Sequence, residues 1–173
     1  LNSLEISHEM LHTPREFTSL SVDLRSTTTF TNFMVLSLGL TMTPQGVNDY
    51  YEPRVEGRFL KRPPSFEINT KFASDNRKKI SVALAADYEK YFSEFNMNRY
   101  VFYVSPTFRL NNKLNINHSL NLRIFTDNIG FAAISENIIF GKRQSSTYKN
   151  IFSLNYIHSA SSYFQARIRH YWS

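Results

Sequence analysis

Nine stretches of the sequence alternate apolar and polar residues, and this alternation limits the possible folds more than any other feature. In most of them the even-numbered residues are apolar, and the residues between them are small, polar or charged. The clearest apolar series are Leu20, Val22 and Leu24, then Leu36, Leu38 and Leu40, then Ile80, Val82 and Leu84. A period of two is typical of a β-strand, because successive side chains point to opposite faces of a sheet. The sequence therefore predicts an all-β fold with one apolar and one charged face.

The nine predicted strands are joined by connections that alternate in length. The strands are expected at Leu4–Met10, Phe17–Ser26, Phe33–Thr43, Ser65–Ser74, Lys79–Tyr88, Arg99–Leu110, Leu114–Thr126, Thr147–Ile157 and Tyr163–Trp172. Short turns are predicted at residues 27–32, 75–78, 111–113 and 158–162, and longer loops at 44–64, 89–98 and 127–146. No helical period and no linker interrupt the pattern, so residues 1–173 are predicted to form a single β-barrel segment with no second domain. Pro106, inside the sixth strand, predicts a bulge or a break in the ladder, because proline has no N–H to donate.

The distribution of charge leaves open which face points outward. On strands two to nine, Asp, Glu, Lys and Arg occur only at odd-numbered positions. A soluble sandwich would bury the apolar face, whereas a membrane barrel would expose it to lipid. Strands of about ten residues, short turns opposite long loops, and aromatic residues near strand ends such as Tyr88, Tyr100 and Trp172 favour the barrel. The predicted fold is an antiparallel up-and-down transmembrane β-barrel, with a soluble β-sandwich as the alternative.

Composition and motifs argue against several other classes of protein. The chain of 173 residues has no Cys, which excludes disulfides and thiolate metal sites. Its net charge is +6, but the basic residues are dispersed, and the longest run is Arg77–Lys79, so we expect no nucleic-acid partner. The five histidines lack metal-ligand spacing, and no nucleophile elbow is present. We therefore predict no metal, no cofactor and no enzymatic activity.

Candidate binding residues fall into two groups. Basic side chains at odd-numbered positions would line a lumen and contact anions, because guanidinium groups stay charged and bind carboxylate, sulfate or phosphate. These are Arg25, Lys71, Arg99, Arg109, Arg123, Arg167 and Arg169. The second group lies in the loop 44–64, since loops on rigid scaffolds often carry binding. These are Tyr50, Tyr51, Arg54, Arg58, Phe59 and Arg62. The alternatives are that the basic residues form ion pairs within a closed wall, and that the loop is a lid or plug.

Five motifs in a fixed order resemble a known family. They are DYYEPRVEGRFLKRP at 49–63, SDNRKK at 74–79, NRYxF at 98–102, IIFGKR at 138–143 and RxRHYWS at 167–173. Residues 17–173 are similar to the C-terminal barrel region of large outer-membrane proteins of Bacteroidota, a region of unknown function. Members typically pair it with an N-terminal module similar to family-9 carbohydrate-binding domains. The resemblance implies location in the bacterial outer membrane, and it supplies no catalytic residue.

These observations lead to three functional expectations. The first is a porin-like barrel for passage or uptake of polar or anionic solutes, with a link to glycans that only the resemblance implies. The second is a non-conducting structural or accessory barrel bound to other outer-membrane or envelope proteins, and the third is a soluble β-sandwich binding module. The lipid bilayer is the expected partner in the first two cases. Bacterial single-chain barrels have even strand numbers, and the sequence lacks an initiator Met, so about nine strands are expected to be part of a larger barrel in a longer protein.

Overall fold

The computed structural model describes all residues, 1–173, as one antiparallel sheet of 11 strands. The strands are β1 Asn2–Met10, β2 Phe17–Thr29, β3 Val35–Thr43, β4 Val47–Asp49, β5 Leu60–Arg62, β6 Ser65–Ala73, β7 Ile80–Tyr91, β8 Asn98–Arg109, β9 Leu114–Ile134, β10 Ile138–Ser159 and β11 Ser162–Trp172. The all-β prediction and the nine predicted strands are confirmed. The short strands β4 and β5 lie in a segment predicted as irregular. No helix of the length and apolarity needed to cross a membrane is present.

The strands follow one another in an up-and-down order. From β2 the sheet continues through β3, β6, β7, β8, β9 and β10 to β11, and each strand pairs antiparallel with the next. Strand β1 pairs along one edge of β2, while the β4–β5 hairpin joins the other edge, where Val47 pairs with Ser19. Because β1 and β11 do not pair with each other, the sheet is not closed into a barrel, and both strands leave an open edge.

The two ends of the sheet differ in the length of their connections. At one end, here called the short-turn end, the strands are joined through residues 30–34, 74–79, 110–113 and 160–161. At the opposite, long-loop end lie residues 11–16, 44–64, 92–97 and 135–137. The predicted alternation of short and long connections is confirmed only for the long segment 44–64, because the predicted longer loop 89–98 shortens to 92–97, six residues like the turn 74–79. The predicted loop 127–146 is wrong, because β9 and β10 continue through it and turn only at 135–137.

The chain has almost no hydrophobic core. Only 10 of 173 residues are buried. The hydrophobic core consists of two of them, Met97 and Val101. The even-numbered strand positions up to residue 126 and again from 146, here called the apolar face, remain exposed or half-buried. Leu38 is 50% exposed, Leu84 39% and Phe102 46%. In a single layer of sheet this face has nothing packed on it.

The ladder between β8 and β9 is interrupted at Pro106, as predicted. Pairing runs to Val104 and Leu120 and resumes at Thr107 and Asn117 in the same register, so the strand has a gap rather than a bulge. The side-chain amide of Asn117 fills this gap. Its Nδ2 donates to Thr107 Oγ1 at 2.8 Å, to Ser105 Oγ at 3.1 Å and to the carbonyl of Pro106 at 3.3 Å.

Candidate functional site

The odd-numbered strand positions, here called the polar face, carry the hydrogen-bonded side chains of the sheet. Thr41 Oγ1 donates to Asp23 Oδ1 at 2.5 Å, and the hydroxyls of Thr27 and Ser37 are 3.0 Å apart. These contacts join neighbouring strands, because residues at paired positions lie side by side on one face. The polar face is therefore a connected surface, and it is the place where a functional site has to be sought.

An ion-pair network crosses β6, β7 and β8 near the long-loop end. Arg99 donates from Nε to Glu89 at 2.8 Å, and its Nη2 lies 3.0 Å from Glu67, two strands away. Ser65 Oγ donates to the other oxygen of Glu89 at 2.8 Å and contacts Thr43 Oγ1 at 2.8 Å. Two carboxylates thus compensate the charge of Arg99. The sequence predicted Arg99 as an anion contact, but its guanidinium is bound to side chains of neighbouring strands.

The other six basic residues predicted on the polar face are not compensated in this way. None of them takes part in a salt bridge within the chain. They are Arg25, Lys71, Arg109, Arg123, Arg167 and Arg169. Lys71 lines a shallow groove of about 380 Å³ with Asp87, Tyr103 and Asn121, but forms no salt bridge with Asp87. The structure therefore separates one wall-forming arginine from a set of free cations on the same face.

A basic cleft of about 560 Å³ lies at the short-turn end. Arg77, Lys79, Arg109 and Lys113 line it together with amide side chains that include Asn115 and Asn155. Of these residues, sequence analysis singled out only Arg109. Arg77, Lys79 and Lys113 were missed because they lie in or beside two turns, and only the pairing of β7 with β8 and of β8 with β9 brings those turns together. Asn115 and Asn155 lie in predicted strands but carry no charge, and the pairing of β9 with β10 places them beside Arg109.

At the opposite end, the β4–β5 hairpin carries a loop, residues 50–59, that is anchored to its own strands. Arg62 Nε donates to Asp49 Oδ2 at 2.9 Å and Nη2 of Arg62 lies 3.6 Å from Glu52. The amides of Tyr51 and Glu52 both donate to Asp49 Oδ1 at 3.0 Å. Burial alone would raise the pKa of Asp49, but the hydrogen bonds from the Glu52 amide and from Arg62 outweigh it and lower this pKa. The carboxylate therefore organises the loop as an anion.

The same loop reaches across the sheet to the β9–β10 hairpin. Glu52 Oε1 accepts the amide N–H of Phe131 at 2.8 Å and lies 3.4 Å from Nη2 of Arg143, while the Arg54 guanidinium stands 4.6 Å from the centre of the Phe131 ring. Strand β8 pairs with β9 only as far as Thr126, so this edge of β9 is open to the loop. In the sheet order, β2, β3, β6, β7 and β8 stand between β4 and β9, so the loop spans the long-loop end.

The six predicted loop residues divide accordingly. Tyr50 donates to Glu16 at 2.8 Å and packs against Phe59 with ring centres 5.2 Å apart. Arg54 and Arg62 make the contacts described above. Tyr51, 92% exposed, and the exposed Arg58 make no side-chain contact of this kind. The loop is thus mostly engaged with the chain itself, and two of its residues are free to meet a partner.

Comparison with known proteins adds one match. A family model described as "Domain of unknown function (DUF5916)" matches residues 1–173. No curated protein and no solved structure gives a match.

Proposed function

The chain belongs to the DUF5916 family, and because that description names no activity, we propose a function from the sheet itself. The chain forms part of the wall of a bacterial outer-membrane β-barrel through which polar or anionic solutes pass. The two faces of the sheet support this function, whereas the fold alone would not, since one fold serves many functions. No catalytic role is part of the proposal.

The observation that carries the proposal is the inverted burial of the two faces. On the apolar face Leu24, Leu38, Phe102, Phe152 and Ile168 are exposed and the even-numbered residues 114–124 of β9 are half-buried, while most side-chain hydrogen bonds and ion pairs between strands lie on the polar face. Apolar surface left in water costs about 25 cal/mol per Å². Lipid removes that cost without a second protein layer, and the polar face then faces water inside a barrel.

The dimensions of the apolar face fit a membrane. On β8, Tyr100 and Phe108 lie near the two ends of the apolar stretch, with Phe102 and Val104 between them. At about 3.4 Å per residue, their separation is about 27 Å along the strand. With the usual strand tilt of about 40°, this becomes about 20 Å across the bilayer, close to the apolar band of about 25 Å in outer-membrane barrels.

The open edges favour a larger, closed barrel. Along β1 and β11 a row of backbone N–H and C=O groups lacks a strand partner. In hydrocarbon each such group costs several kcal/mol, so a membrane sheet has to close. We propose that further strands pair with β1 and β11. The resemblance to large Bacteroidota proteins with a carbohydrate-binding module makes acidic glycan fragments the first solutes to test.

Spin labels test the assignment of the faces, and because residues 1–173 contain no Cys, only the introduced site is labelled within them once any Cys elsewhere in the full-length protein is replaced by Ser. The change is Leu122→Cys on the apolar face, with Arg123→Cys on the polar face as the matched control, in the full-length protein reconstituted in phospholipid. We expect the label at 122 to be accessible to oxygen, which concentrates in lipid, and the label at 123 to a water-soluble nickel chelate. A label at 122 that neither reagent reaches would indicate a packed protein interior and would contradict the proposal.

Planar-bilayer recordings of the same protein test passage. The uncompensated cations of the polar face predict a steady current that is selective for anions, because a pore lined by Arg and Lys favours them. A cation-selective current would refute the assignment of these residues to the lumen.

A second candidate function, a non-conducting accessory barrel, is favoured by the loop that bridges the long-loop end. Glu52 fixes this loop to Phe131 and Arg143. If the loop closes the barrel, the protein gives no current, and releasing the loop with Glu52→Gln opens it. Absence of current from both proteins would instead indicate a plugged barrel that docks to other envelope proteins.

A further inference from the structure

The basic cleft at the short-turn end has an unusual charge balance. Lys79, Arg109 and Lys113 line it, and none of the three is in a salt bridge. No carboxylate is among its lining residues. Three cations around one concave space repel one another, and an anion held between them would remove that repulsion. The cleft is thus charged for an anion rather than balanced within the wall.

The fourth cation of the cleft, Arg77, is fixed differently. Its Nε and Nη2 donate to the two oxygens of Asp75 at 2.9 Å, and its Cζ stands 3.3 Å from the centre of the Phe33 ring. Arg77 is therefore held in place at the edge of the cleft, and the Asp75 carboxylate compensates most of its charge within the turn. The cations without a salt bridge are Arg109 in β8, Lys79 directly before β7 and Lys113 directly before β9.

Amide side chains complete the lining. Asn115 pairs with Arg109 on one side and with Asn155 on the other, so these three residues form one row across β8, β9 and β10 on the polar face. Neither Asn115 nor Asn155 makes a side-chain hydrogen bond to the chain. Oδ1 of Asn115 is shielded from solvent without a partner, and as an acceptor it does not bind an oxyanion. The NH2 groups of the two amides are the atoms available to donate to a ligand.

We propose that this cleft is a binding site for a phosphate- or sulfate-class oxyanion. Three separated cations and two amides match the several acceptor oxygens of such a group better than the single charge of chloride. Because the row lies on the polar face, the ligand enters from the aqueous side. The inference rests on the proposed function in that it names the class of solute that the polar face selects.

Calorimetry on the full-length protein in a non-ionic, phosphate-free detergent tests the site, with inorganic pyrophosphate as the probe. We expect saturable binding that weakens as salt is raised, because exposed charges are screened. In the double variant Arg109→Gln with Lys113→Gln, we expect Kd to rise about 100-fold, since each charge-assisted hydrogen bond contributes about tenfold or more. The matched control is Arg167→Gln with Arg169→Gln, two uncompensated cations on the same face outside the cleft, and there we expect Kd to change less than about threefold.

The outcomes separate this site from the proposed function. Pyrophosphate binding that is absent, or equal in the double variant and the control, overturns the site even if the protein conducts anions. Binding that is lost only in the double variant supports the site even if bilayers show no current. Nanodiscs of phosphatidylglycerol against phosphatidylcholine distinguish the source of the phosphate. Pyrophosphate displaced only by phosphatidylglycerol would assign the site to a lipid headgroup, and pyrophosphate binding that is equal in both lipids would assign it to a soluble ligand.

Discussion

The Asp75 carboxylate shows how one turn residue responds to pH. Hydrogen bonds from the Arg77 side chain, and then from its backbone amide, lower the pKa of Asp75 from 3.8 to about 2. Because the folded pKa lies below the unfolded one, the contact stabilises the turn above a pH of about 3.8 and is lost as the pH falls towards 2. We expect the ¹³C signal of the Asp75 carboxyl to titrate near pH 2, and to move towards 4 in Arg77→Gln. The same midpoint near 4 in both proteins would contradict the contact.

Gly130 is the residue on which the loop bridge depends. A Cβ built at this position would lie 2.5 Å from Cζ of Arg143 and 2.7 Å from Oε1 of Glu52. Both atoms are the ends of flexible side chains, so Gly130→Ala should displace them and release the loop without unfolding the sheet. We expect trypsin to cleave after Arg54 and Arg58 several times faster than in the parent, because local opening exposes the backbone.

The control for this change is Gly141→Ala on the opposite strand of the same hairpin. There the added Cβ would meet only the Cβ of Ala132, at an ordinary 3.6 Å. Trypsin should cleave this variant at the parental rate. If the two variants are cleaved equally fast, the Glu52 bridge does not hold the loop.

At the scale of strands, Asn117 repairs the ladder that Pro106 interrupts. Its amide donates to three acceptors on β8, and Asn117→Ala would leave the Pro106 carbonyl without this partner. We expect the free energy of unfolding from phospholipid vesicles, measured in urea, to fall by about 1 kcal/mol. Asn121→Ala is the matched control, since Asn121 lies on the same strand and face but makes no such bond. An equal loss in both variants would mean that the gap needs no support.

The outer limits of β9 and β10 show where prediction from sequence stops. Alternation predicts nine strands correctly because each keeps one phase. Between Arg143 and Ser145 the register shifts, and Asp127 opposite has a φ of 49°, so the apolar residues of β9 change from even positions such as Ile124 to odd ones such as Ile129. A second shift follows near Phe140. Because the alternation changes phase at these two points, residues 127–146 were predicted as a loop, although β9 and β10 continue through them.

The candidate site was predictable to a similar degree. Charge at odd-numbered positions was enough to place Arg109 on the polar face. It could not show that Arg99 reaches Glu67 two strands away, because the order β6, β7, β8 and its register are needed for that. Lys79 and Lys113 carry no alternation signal of their own, and only the folded sheet places them beside Arg109.

For the molecule as a whole, the two ends of the sheet differ in how their basic side chains are compensated. At the long-loop end, Glu52, Glu67 and Glu89 pair with Arg62, Arg99 and Arg143. At the short-turn end, the cations Lys79, Arg109 and Lys113 of the basic cleft have no salt bridge. In a closed barrel with the polar face inside, this difference would make the electrostatic potential of the cleft the more favourable one for anions. The loop bridge and the cleft would then act at opposite ends of one path.

Two neighbouring residues of β9, Leu122 and Asn121, can show whether lipid or protein covers the apolar face. In lipid, Leu122→Arg should cost about 1–3 kcal/mol of folding free energy, because Leu122 lies opposite Phe102, between the middle of the apolar stretch and its Tyr100 end. Asn121→Arg on the polar face should cost less than about 1 kcal/mol. A packed protein interior would also be destabilised by Leu122→Arg. The decisive measurement is therefore the urea titration of the folding free energy, repeated in vesicles of shorter-chain lipid. A thinner bilayer lets the arginine reach water, and the cost of Leu122→Arg should fall while that of Asn121→Arg stays constant. A cost that is independent of bilayer thickness would mean that protein, not lipid, covers this face.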